Sequence, residues 1–409
     1  MKGFAMKRRT LLFLTGSLAF ESNASAAAPI RLTDAEAAEI LRMDAEPEPP
    51  ALERAKLTPY WFESTKVKPP TATWPADRYA YDYQHLSALP ALAGSFQLTW
   101  PLLARYAELS NYALSESETL LFGLRGCTLA SGKDSAAFAD SHALVQADPD
   151  HVHPRCLIGV AKPAEKQVAL FSASTVPCAE HMDKQIKNQG GCNLMPTGLH
   201  TYKVGPHTGI KQRGAFRQQQ PLWVRRANSF PTYSLVVEGS NWDDMEGVLP
   251  WDNIHAAMLS YRTKPPYFSS AGCQVVVGAY RKEDLMPVGP WMEFRRAAGL
   301  ADITPKPKDA TTSDDGKPFR YMLLIGRELS VLSSGNESAI AAVRFGSSGK
   351  AVTNLQQFLV KQGHLTSGKT NGRFDRATFG ALLAYQVAAK SPTTGILTVS
   401  QASKVGLVL

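Results

Sequence analysis

The sequence predicts a mainly β domain followed by a small α-helical domain. Short apolar runs bounded by turn residues dominate residues 119–282, a pattern typical of strands. Residues 344–409 instead carry apolar residues at helical spacing after glycine-containing turns. With 409 residues, of which 44% are hydrophobic and 20% charged, the chain has the composition of a folded protein rather than a disordered one.

The N-terminal residues have the pattern of an export signal. Residues 1–9 are basic, residues 10–20 form a short apolar run, and residues 24–26, Ala-Ser-Ala, match a cleavage site. We therefore expect residues 1–26 to be a signal peptide and the protein to be periplasmic or cell-wall associated. The pair Arg8-Arg9 also fits a twin-arginine signal, and a basic tail is the alternative interpretation. No stretch approaches the roughly 20 apolar residues of a membrane span, so no transmembrane segment is expected.

Residues 27–118 are predicted to be an arm rich in proline and aromatic residues, ending in a helix. Their composition suits a segment that packs on a folded body. Apolar residues at helical spacing place the helix within Leu92 to Leu114.

The β domain is expected to contain several short strands. Residues 162–166, KPAEK, have the composition of a hairpin turn. The expected strands are Thr119–Gly123, Arg155–Ala161, Gln167–Ala173, Tyr233–Glu238 and Gln274–Gly278. A connector at 283–343 follows, in which residues 320–332 are expected to form a strand, a turn and a second strand.

Cysteine counting sets one thiol apart. The thiols of an exported protein tend to be oxidised to disulfides outside the cytoplasm. Five cysteines can form two pairs and leave one cysteine unpaired. Cys178 with Cys192 and Cys127 with Cys156 are the expected pairs, and no pairing at all is the alternative. Cys273 remains, after a run of small residues and before an apolar β-branched run.

Cys273 and His255 have the residue types of a nucleophile and its base. A cysteine attacks as its thiolate, which needs an accessible position, a neighbouring base and backbone N–H groups for the oxyanion. Gly272 allows close approach of the backbone to a substrate. A buried cysteine and a structural histidine are the alternative interpretation.

The order of motifs resembles the L,D-transpeptidase catalytic domain. A strand at 167–172 is followed by residues 195–202, MPTGLHTY, by Ile-His at 254–255 and by Ser-Ala-Gly-Cys at 270–273. That family uses a Pro-Thr-Gly segment ending in an aromatic residue, an Ile-His, and a Ser-x-Gly-Cys turn. The resemblance covers residues 119–282 and implies a fold of the L,D-transpeptidase type.

The resemblance also implies roles for individual residues. Cys273 corresponds to the nucleophile, His255 to the base, Gly272 with the N–H of Cys273 to part of the oxyanion site, and Ser270 to the small polar residue of the turn. Many members carry histidine where this chain has Ala271.

A second departure lies after the cysteine. Many members have arginine or asparagine there, whereas residues 274–276 are Gln-Val-Val. Trp251, Tyr261 and Tyr267 flank the site in sequence and are candidates for substrate binding, with ordinary aromatic packing as the alternative.

The implied chemistry is acyl transfer on peptidoglycan stem peptides. The thiolate attacks the carbonyl that precedes a D-amino acid and forms a thioacyl-enzyme. An amine acceptor gives a crosslink, and water gives carboxypeptidase trimming; the sequence leaves both open. No cofactor and no metal are expected.

Residues 344–409 resemble the small peptidoglycan-binding domain. The pattern is a Gly turn at 346–349, a helix with Val352, Leu355 and Leu359 on one face, Asn-Gly-x-Phe at 371–374, and a second helix ending in glutamine. This segment carries a net charge of +7 and residues 1–26 carry +3, which leaves −2 of the total +8 for the body. The basic domain fits an anionic wall glycan, and export argues against nucleic acid.

Two alternatives to the enzyme remain open. One is a non-catalytic wall-binding or scaffold protein. The other is a zinc muramoyl peptidase using the polar loop between the strands. The histidine and aspartate residues of that loop are Asp140, His142, Asp148, Asp150, His151 and His153.

Overall fold

The structure is a computed structural model. It describes residues 94–133, 135–138, 143–147, 156–175, 192–207, 212–227, 242–243, 249–257, 270, 272–281, 284–303 and 310–409. Residues 48–409 cluster as one compact unit, which contains all of these. The predicted signal peptide, residues 27–93 of the predicted arm and the proposed zinc cluster lie outside the described residues.

Strands account for most of the regular structure before residue 326. They are β1 Gly94–Gln97, β2 Leu120–Arg125, β3 Cys127–Leu129, β4 Ser135–Ala136, β5 Leu144–Ala147, β6 Cys156–Lys162, β7 Gln167–Ser174, β8 Cys192–Leu194, β9 Gly198–Gly205, β10 Ala215–Gln218, β11 Val224–Ala227, β12 Trp242–Asp243, β13 Ile254–Ala256, β14 Gln274–Val276, β15 Ala279–Tyr280, β16 Pro287–Val288, β17 Pro318–Ile325, β18 Ala342–Val343 and β19 Leu397–Thr398.

Helices flank this sheet structure and dominate the C-terminal residues. They are α1 Trp100–Leu109, α2 Pro290–Ala297, α3 Gly326–Ser333, α4 Lys350–Lys361, α5 Arg376–Ala388 and α6 Val399–Lys404, with 3₁₀ turns at Glu337–Ala339 and Ser367–Lys369. None of the described helices is long and apolar enough to cross a membrane.

The largest sheet closes on itself. Its order is β14-β13-β10-β9-β17-β2-β6-β7-β4, and β14 also pairs with β7. The pairs β17 with β2 and β13 with β14 are parallel, whereas the other pairs are antiparallel. Strands β2 and β6 are buried along nearly their whole length, as expected for apolar runs covered on both faces.

The predicted hairpin around residues 162–166 is confirmed. Strands β6 and β7 are antiparallel, and Lys162 pairs with Gln167 across a turn in which Lys166 has a φ of 54°. The strand expected at 274–278 is present as β14, and the one expected at 233–238 lies outside the described residues.

The prediction of two strands within residues 320–332 is half wrong. The first is present as β17, but Gly326–Ser333 is the helix α3. A Cβ at Gly326 would lie 1.8 Å from the sulfur of Cys127, so the chain can turn closely against β3 only with glycine here. The turn directs α3 across β1 and α1, where Glu328 and Leu329 are buried.

The segment expected to be a connector also supplies part of the main sheet. Strand β17 lies between β2 and β9, and its last five residues are fully buried. The predicted helix near residues 92–114 is shorter in the structure. It is α1, whose N-terminus is capped by Thr99, with the Leu102 N–H donating to its hydroxyl at 3.4 Å.

The C-terminal helices have the predicted apolar faces. Val352, Leu355 and Leu359 of α4 are fully buried. Gln356 ties α4 to the Asn-Gly-x-Phe turn, because its amide donates to the Arg373 carbonyl at 3.0 Å and accepts from the Gly372 N–H at 2.8 Å.

The second helix is fixed in the same way. Gln386 donates to the Ile396 carbonyl at 2.9 Å and accepts from the Gly395 N–H at 3.0 Å. Asp375 caps the N-terminus of α5 by accepting from the Thr378 N–H at 3.0 Å.

The C-terminal helices pack on the sheet domain through backbone and side-chain contacts. The Leu199 N–H of β9 donates to the Phe345 carbonyl at 3.0 Å, and His200 stacks on the Phe345 ring. From the β11 side, Trp223 donates to the Arg376 carbonyl at 3.2 Å. The C-terminal residues are thus joined to the strands rather than held by a free linker.

Candidate functional site

Cys273 lies at the start of a buried parallel strand. It precedes β14, and the Gln274 N–H donates to the Asn253 carbonyl of the neighbouring strand at 2.7 Å. Its half-buried thiol donates to the Trp251 carbonyl at 3.3 Å. Because β13 and β14 are parallel, the residues that precede them lie at the same edge of the sheet.

The turn before Cys273 brings together the residues singled out in the sequence. The Ser270 hydroxyl accepts from the Gly272 N–H at 3.1 Å and donates to the Cys273 carbonyl at 2.6 Å. A Cβ at Gly272 would lie 2.4 Å from Asp252 Oδ1. Gly272 was expected to form part of an oxyanion site together with the N–H of Cys273, and its own N–H is engaged by Ser270.

His255 is a buried, neutral imidazole. It is 1% exposed on β13, and its Nδ1 lies 2.6 Å from the Ala256 carbonyl oxygen. A carbonyl only accepts, so the ring proton is on Nδ1 and Nε2 keeps its lone pair. Burial lowers the pKa of His255 to about 4. The Ala256 carbonyl is thus the group that orients the imidazole.

A second imidazole, not identified from the sequence, completes the site. His207 follows β9, and its Nε2 lies 4.0 Å from Cys273 Sγ. Its ring stacks on His255 with centroids 4.5 Å apart and planes inclined by 21°. Burial, His255 and Arg217 together lower the pKa of His207 well below its ordinary value. His207 is therefore neutral as well.

His207 was missed because its sequence neighbours give no sign of the contact. It lies 66 residues before Cys273, and only the pairing of β9 with β10 and of β10 with β13 brings it there. The sequence feature that could have identified His207 is its position shortly after β9, the strand that begins at the Pro-Thr-Gly segment.

Trp251 contacts Cys273 through its backbone carbonyl. Its φ of 59° turns the carbonyl towards Cys273. The guanidinium of Arg217 lies over the indole, 4.6 Å from the ring centroid. The other two aromatic candidates lie outside the described residues; they are Tyr261 and Tyr267.

Polar contacts from two further strands hold the segment 250–252, whose Trp251 carbonyl accepts from the thiol of Cys273. Tyr202 of β9 donates to the Asp252 carbonyl at 2.7 Å, and Asn193 of β8 donates to the Pro250 carbonyl at 3.0 Å. Tyr202 is the aromatic residue that ends the Pro-Thr-Gly segment. Its hydroxyl thus fixes the backbone between Trp251 and the strand that carries His255.

Among the described residues, one group has the side chains to hold a metal ion. The ligand atoms of His207, His255 and Cys273 all lie within 4.8 Å of one another. These are zinc-ligand types, although a tetrahedral zinc with bonds of about 2.0–2.3 Å would hold its ligand atoms about 3.5 Å apart.

The expected disulfide between Cys127 and Cys156 is wrong, since both are thiols. The Cys156 sulfur lies 3.1 Å from the Thr175 hydroxyl, whereas Cys127 packs against Gly326. The two side chains therefore point to different neighbours. The other expected pair includes Cys178, which lies outside the described residues.

Fold and site together define a mainly β protein with a thiol and two imidazoles at one edge of a closed sheet, joined to a small helical domain. Residues 348–403 match the family model described as a putative peptidoglycan binding domain. No curated protein and no solved structure matches the chain. The C-terminal domain supports cell-wall association, with peptidoglycan as partner.

Proposed function

We propose that this protein is an exported cell-wall enzyme that acts on peptidoglycan stem peptides through a thioacyl intermediate on Cys273. Its activity is that of an L,D-transpeptidase or an L,D-carboxypeptidase. The observation that carries the proposal is that the half-buried thiol of Cys273 lies within 4.8 Å of a ring nitrogen of His255, whose Nε2 lone pair is left available by the contact of Nδ1 with the Ala256 carbonyl. The peptidoglycan-binding domain supplies a substrate class that fits this chemistry.

The proposed first half-reaction uses the thiol of Cys273 and the free lone pair of His255. The thiol proton passes to His255 Nε2, and the sulfur lone pair forms a bond to the carbonyl carbon of the stem peptide. The tetrahedral intermediate then expels the amine of the D-residue, which takes the proton from His255, and a thioester remains on Cys273.

The fate of the thioester distinguishes the two activities. An amine of a second stem gives a crosslink, whereas water releases a shortened stem. Product analysis of purified muropeptides separates these by mass, because crosslinking joins two stems and trimming removes one residue.

The decisive experiment compares Cys273→Ala with Cys156→Ala. Both remove one thiol, but only Cys273 adjoins the imidazoles, whereas Cys156 contacts Thr175. We expect intact-mass spectrometry to show a thioester adduct with a stem-peptide probe in the wild type and in Cys156→Ala, and none in Cys273→Ala. Adduct formation that is unchanged in Cys273→Ala would overturn the proposal.

A non-catalytic wall-binding protein is the second candidate. It is favoured by the family match, which covers only the C-terminal residues 348–403. In that case sacculus pull-down persists in the wild type and in Cys273→Ala, while no adduct and no new muropeptide appear with either protein.

A further inference from the structure

His207 contacts the reacting sulfur, yet the acyl-transfer steps above give it no task. Its hydrogen bonds fix which ring nitrogen carries the proton. The Gln218 N–H donates to Asn253 Oδ1 at 3.0 Å, and Asn253 Nδ2 lies 2.9 Å from His207 Nδ1. A backbone N–H only donates, so the Asn253 amide is oriented with its oxygen towards Gln218.

The orientation of Asn253 decides the tautomer of His207. Its Nδ2 is a donor, so His207 Nδ1 must accept and carries no proton. The proton of the neutral ring is then on Nε2, the atom nearest to Cys273 Sγ. Rotating the amide of Asn253 would leave the buried Gln218 N–H facing another donor, which is costly in a buried site.

The two stacked imidazoles are therefore opposite tautomers. His255 holds its proton on Nδ1, towards the Ala256 carbonyl, and offers a lone pair at Nε2. His207 offers an N–H at Nε2. One ring can accept the thiol proton and the other can hydrogen-bond the sulfur from which that proton departs.

The same tautomer argues against a metal ion at these residues. Coordination of a metal by His207 Nε2 needs a lone pair on that atom. The hydrogen bonds from Gln218 to Asn253 and from Asn253 to His207 Nδ1 instead place the ring proton on Nε2. The spread of up to 4.8 Å between the ligand atoms is also wider than one tetrahedral ion would hold.

We propose that His207 is a second catalytic residue, which stabilises the thiolate of Cys273 by donating its Nε2–H to the sulfur while His255 acts as the base. This inference rests on the proposed function, because it assigns a task within the same acyl transfer. A hydrogen bond to the charged form of an acid favours ionisation, so the donor raises the fraction of reactive thiolate. No further reactant is needed, since the proton moves only between sulfur, His255 and the leaving amine.

The test measures alkylation of Cys273 by iodoacetamide as a function of pH, in the full-length protein, with the modified cysteine identified by peptide mass spectrometry. His207→Leu removes the donor, whereas His207→Gln keeps an amide N–H near the position of Nε2. We expect the midpoint of the rate profile to rise by about one pH unit in His207→Leu, which is a tenfold fall in thiolate below the midpoint. His207→Gln is expected to stay close to the wild type.

A wild-type midpoint in His207→Leu would overturn the proposal. Equal shifts in both variants would also overturn it, because they would reduce His207 to a packing role. The readout needs no substrate, so it stands apart from the muropeptide assay, and a protein that is inactive on stem peptides still reports on His207.

Two measurements on the wild type do not depend on how a variant folds. Nitrogen-15 NMR of the histidine-labelled protein should show the His207 ring protonated at Nε2, and protonation at Nδ1 would overturn the assignment. Equimolar Zn²⁺ should leave alkylation of Cys273 unchanged. Protection of Cys273 by Zn²⁺ in the wild type would show a metal site instead and would overturn the proposal.

Discussion

Arg344 and Glu328 form a fully buried ion pair between the segment just before the peptidoglycan-binding domain and helix α3. Two parallel hydrogen bonds, of 2.9 and 2.8 Å, join the guanidinium to the carboxylate, and neither side chain is exposed. Tyr106 of α1 donates to the same carboxylate at 2.7 Å. Helix α1, whose Tyr106 is 222 residues before Glu328 in sequence, thus meets this charge pair, so the residues that lead into the C-terminal domain are part of the folded unit.

Removing one partner of this pair should destabilise the protein strongly. We expect Glu328→Ala to lower the free energy of unfolding by about 3–5 kcal/mol, because it leaves the Arg344 charge buried without a counter-ion. Urea unfolding followed by circular dichroism measures the change. The matched control is Glu337→Ala, which breaks the exposed pair with Arg105 and should leave the unfolding midpoint almost unchanged. Similar losses in the two variants would contradict the importance of burial.

The contact between Trp223 and helix α5 should also hold the two domains together. The indole donates to the Arg376 carbonyl and packs so closely that a Cβ at Gly380 would lie 2.8 Å from its Cζ2. We expect Trp223→Ala to cost about 2 kcal/mol of stability, less than a fully buried aromatic truncation. It should also speed cleavage between the domains in limited proteolysis.

Trp223→Phe is the intermediate variant, since it keeps one aromatic ring but loses the N–H donor and part of the volume of the indole. It should fall between the wild type and Trp223→Ala in both measurements. Sacculus binding should persist in all three proteins, because α4 and α5 keep their own core. Cleavage at the wild-type rate in Trp223→Ala would show that other contacts hold the domains.

The sequence identified the parts of the site that are local in the chain. Ser270, Gly272 and Cys273 form one turn, and a turn is specified by the residues within it. His255 lies on a neighbouring short strand, and the motif order was enough to pair it with Cys273. The helical faces of α4 were equally readable, because apolar spacing is a local property.

The remaining parts depend on pairing between distant strands. His207 lies near Cys273 because β9 pairs with β10 and β10 pairs with β13. The residues beside His207 in the sequence do not indicate how these strands align. Strand β17 lies in the main sheet because it pairs with β2 and β9, although its flanking residues have the composition of a connector. Long-range register is a property of the assembled sheet, and apolar spacing does not contain it.

Stability should fall as the pH is lowered through the range of the buried histidines. Burial lowers the pKa of His200 to about 3 and that of His255 to about 4, from an ordinary value of 6.5. Below pH 6.5 these histidines bind protons in the unfolded chain but remain neutral in the folded protein. The free energy of unfolding therefore decreases between about pH 6.5 and 4. Each such group contributes a slope of up to about 1.4 kcal/mol per pH unit.

Urea unfolding at several pH values between 7 and 4.5 measures this slope. His200→Gln is the matched variant, because its amide can replace the hydrogen bond from the ring Nε2 to the Pro196 carbonyl without titrating. In this variant the slope of the free energy of unfolding against pH should be smaller than in the wild type by nearly the contribution of one titrating histidine. A slope in His200→Gln equal to that of the wild type would mean that His200 does not titrate on unfolding.

The turn at Gly272 should tolerate no side chain. Its φ is 155°, and a Cβ there would lie 2.4 Å from Asp252 Oδ1 and 2.8 Å from the Asn193 side chain, both held in place by the strands behind the turn. We expect Gly272→Ala to displace Cys273 from His255 and to slow acylation by a stem-peptide probe about 100-fold, the effect of misplacing a reacting group by roughly 1 Å.

Gly368→Ala provides the control, because a Cβ at Gly368 meets nothing within 4 Å. It should acylate at the wild-type rate and unfold at the wild-type midpoint. Thermal unfolding of Gly272→Ala separates a displaced turn from a misfolded protein. A folded Gly272→Ala that is acylated at the wild-type rate would contradict the prediction. It would show that the turn can accept a Cβ without moving the sulfur of Cys273.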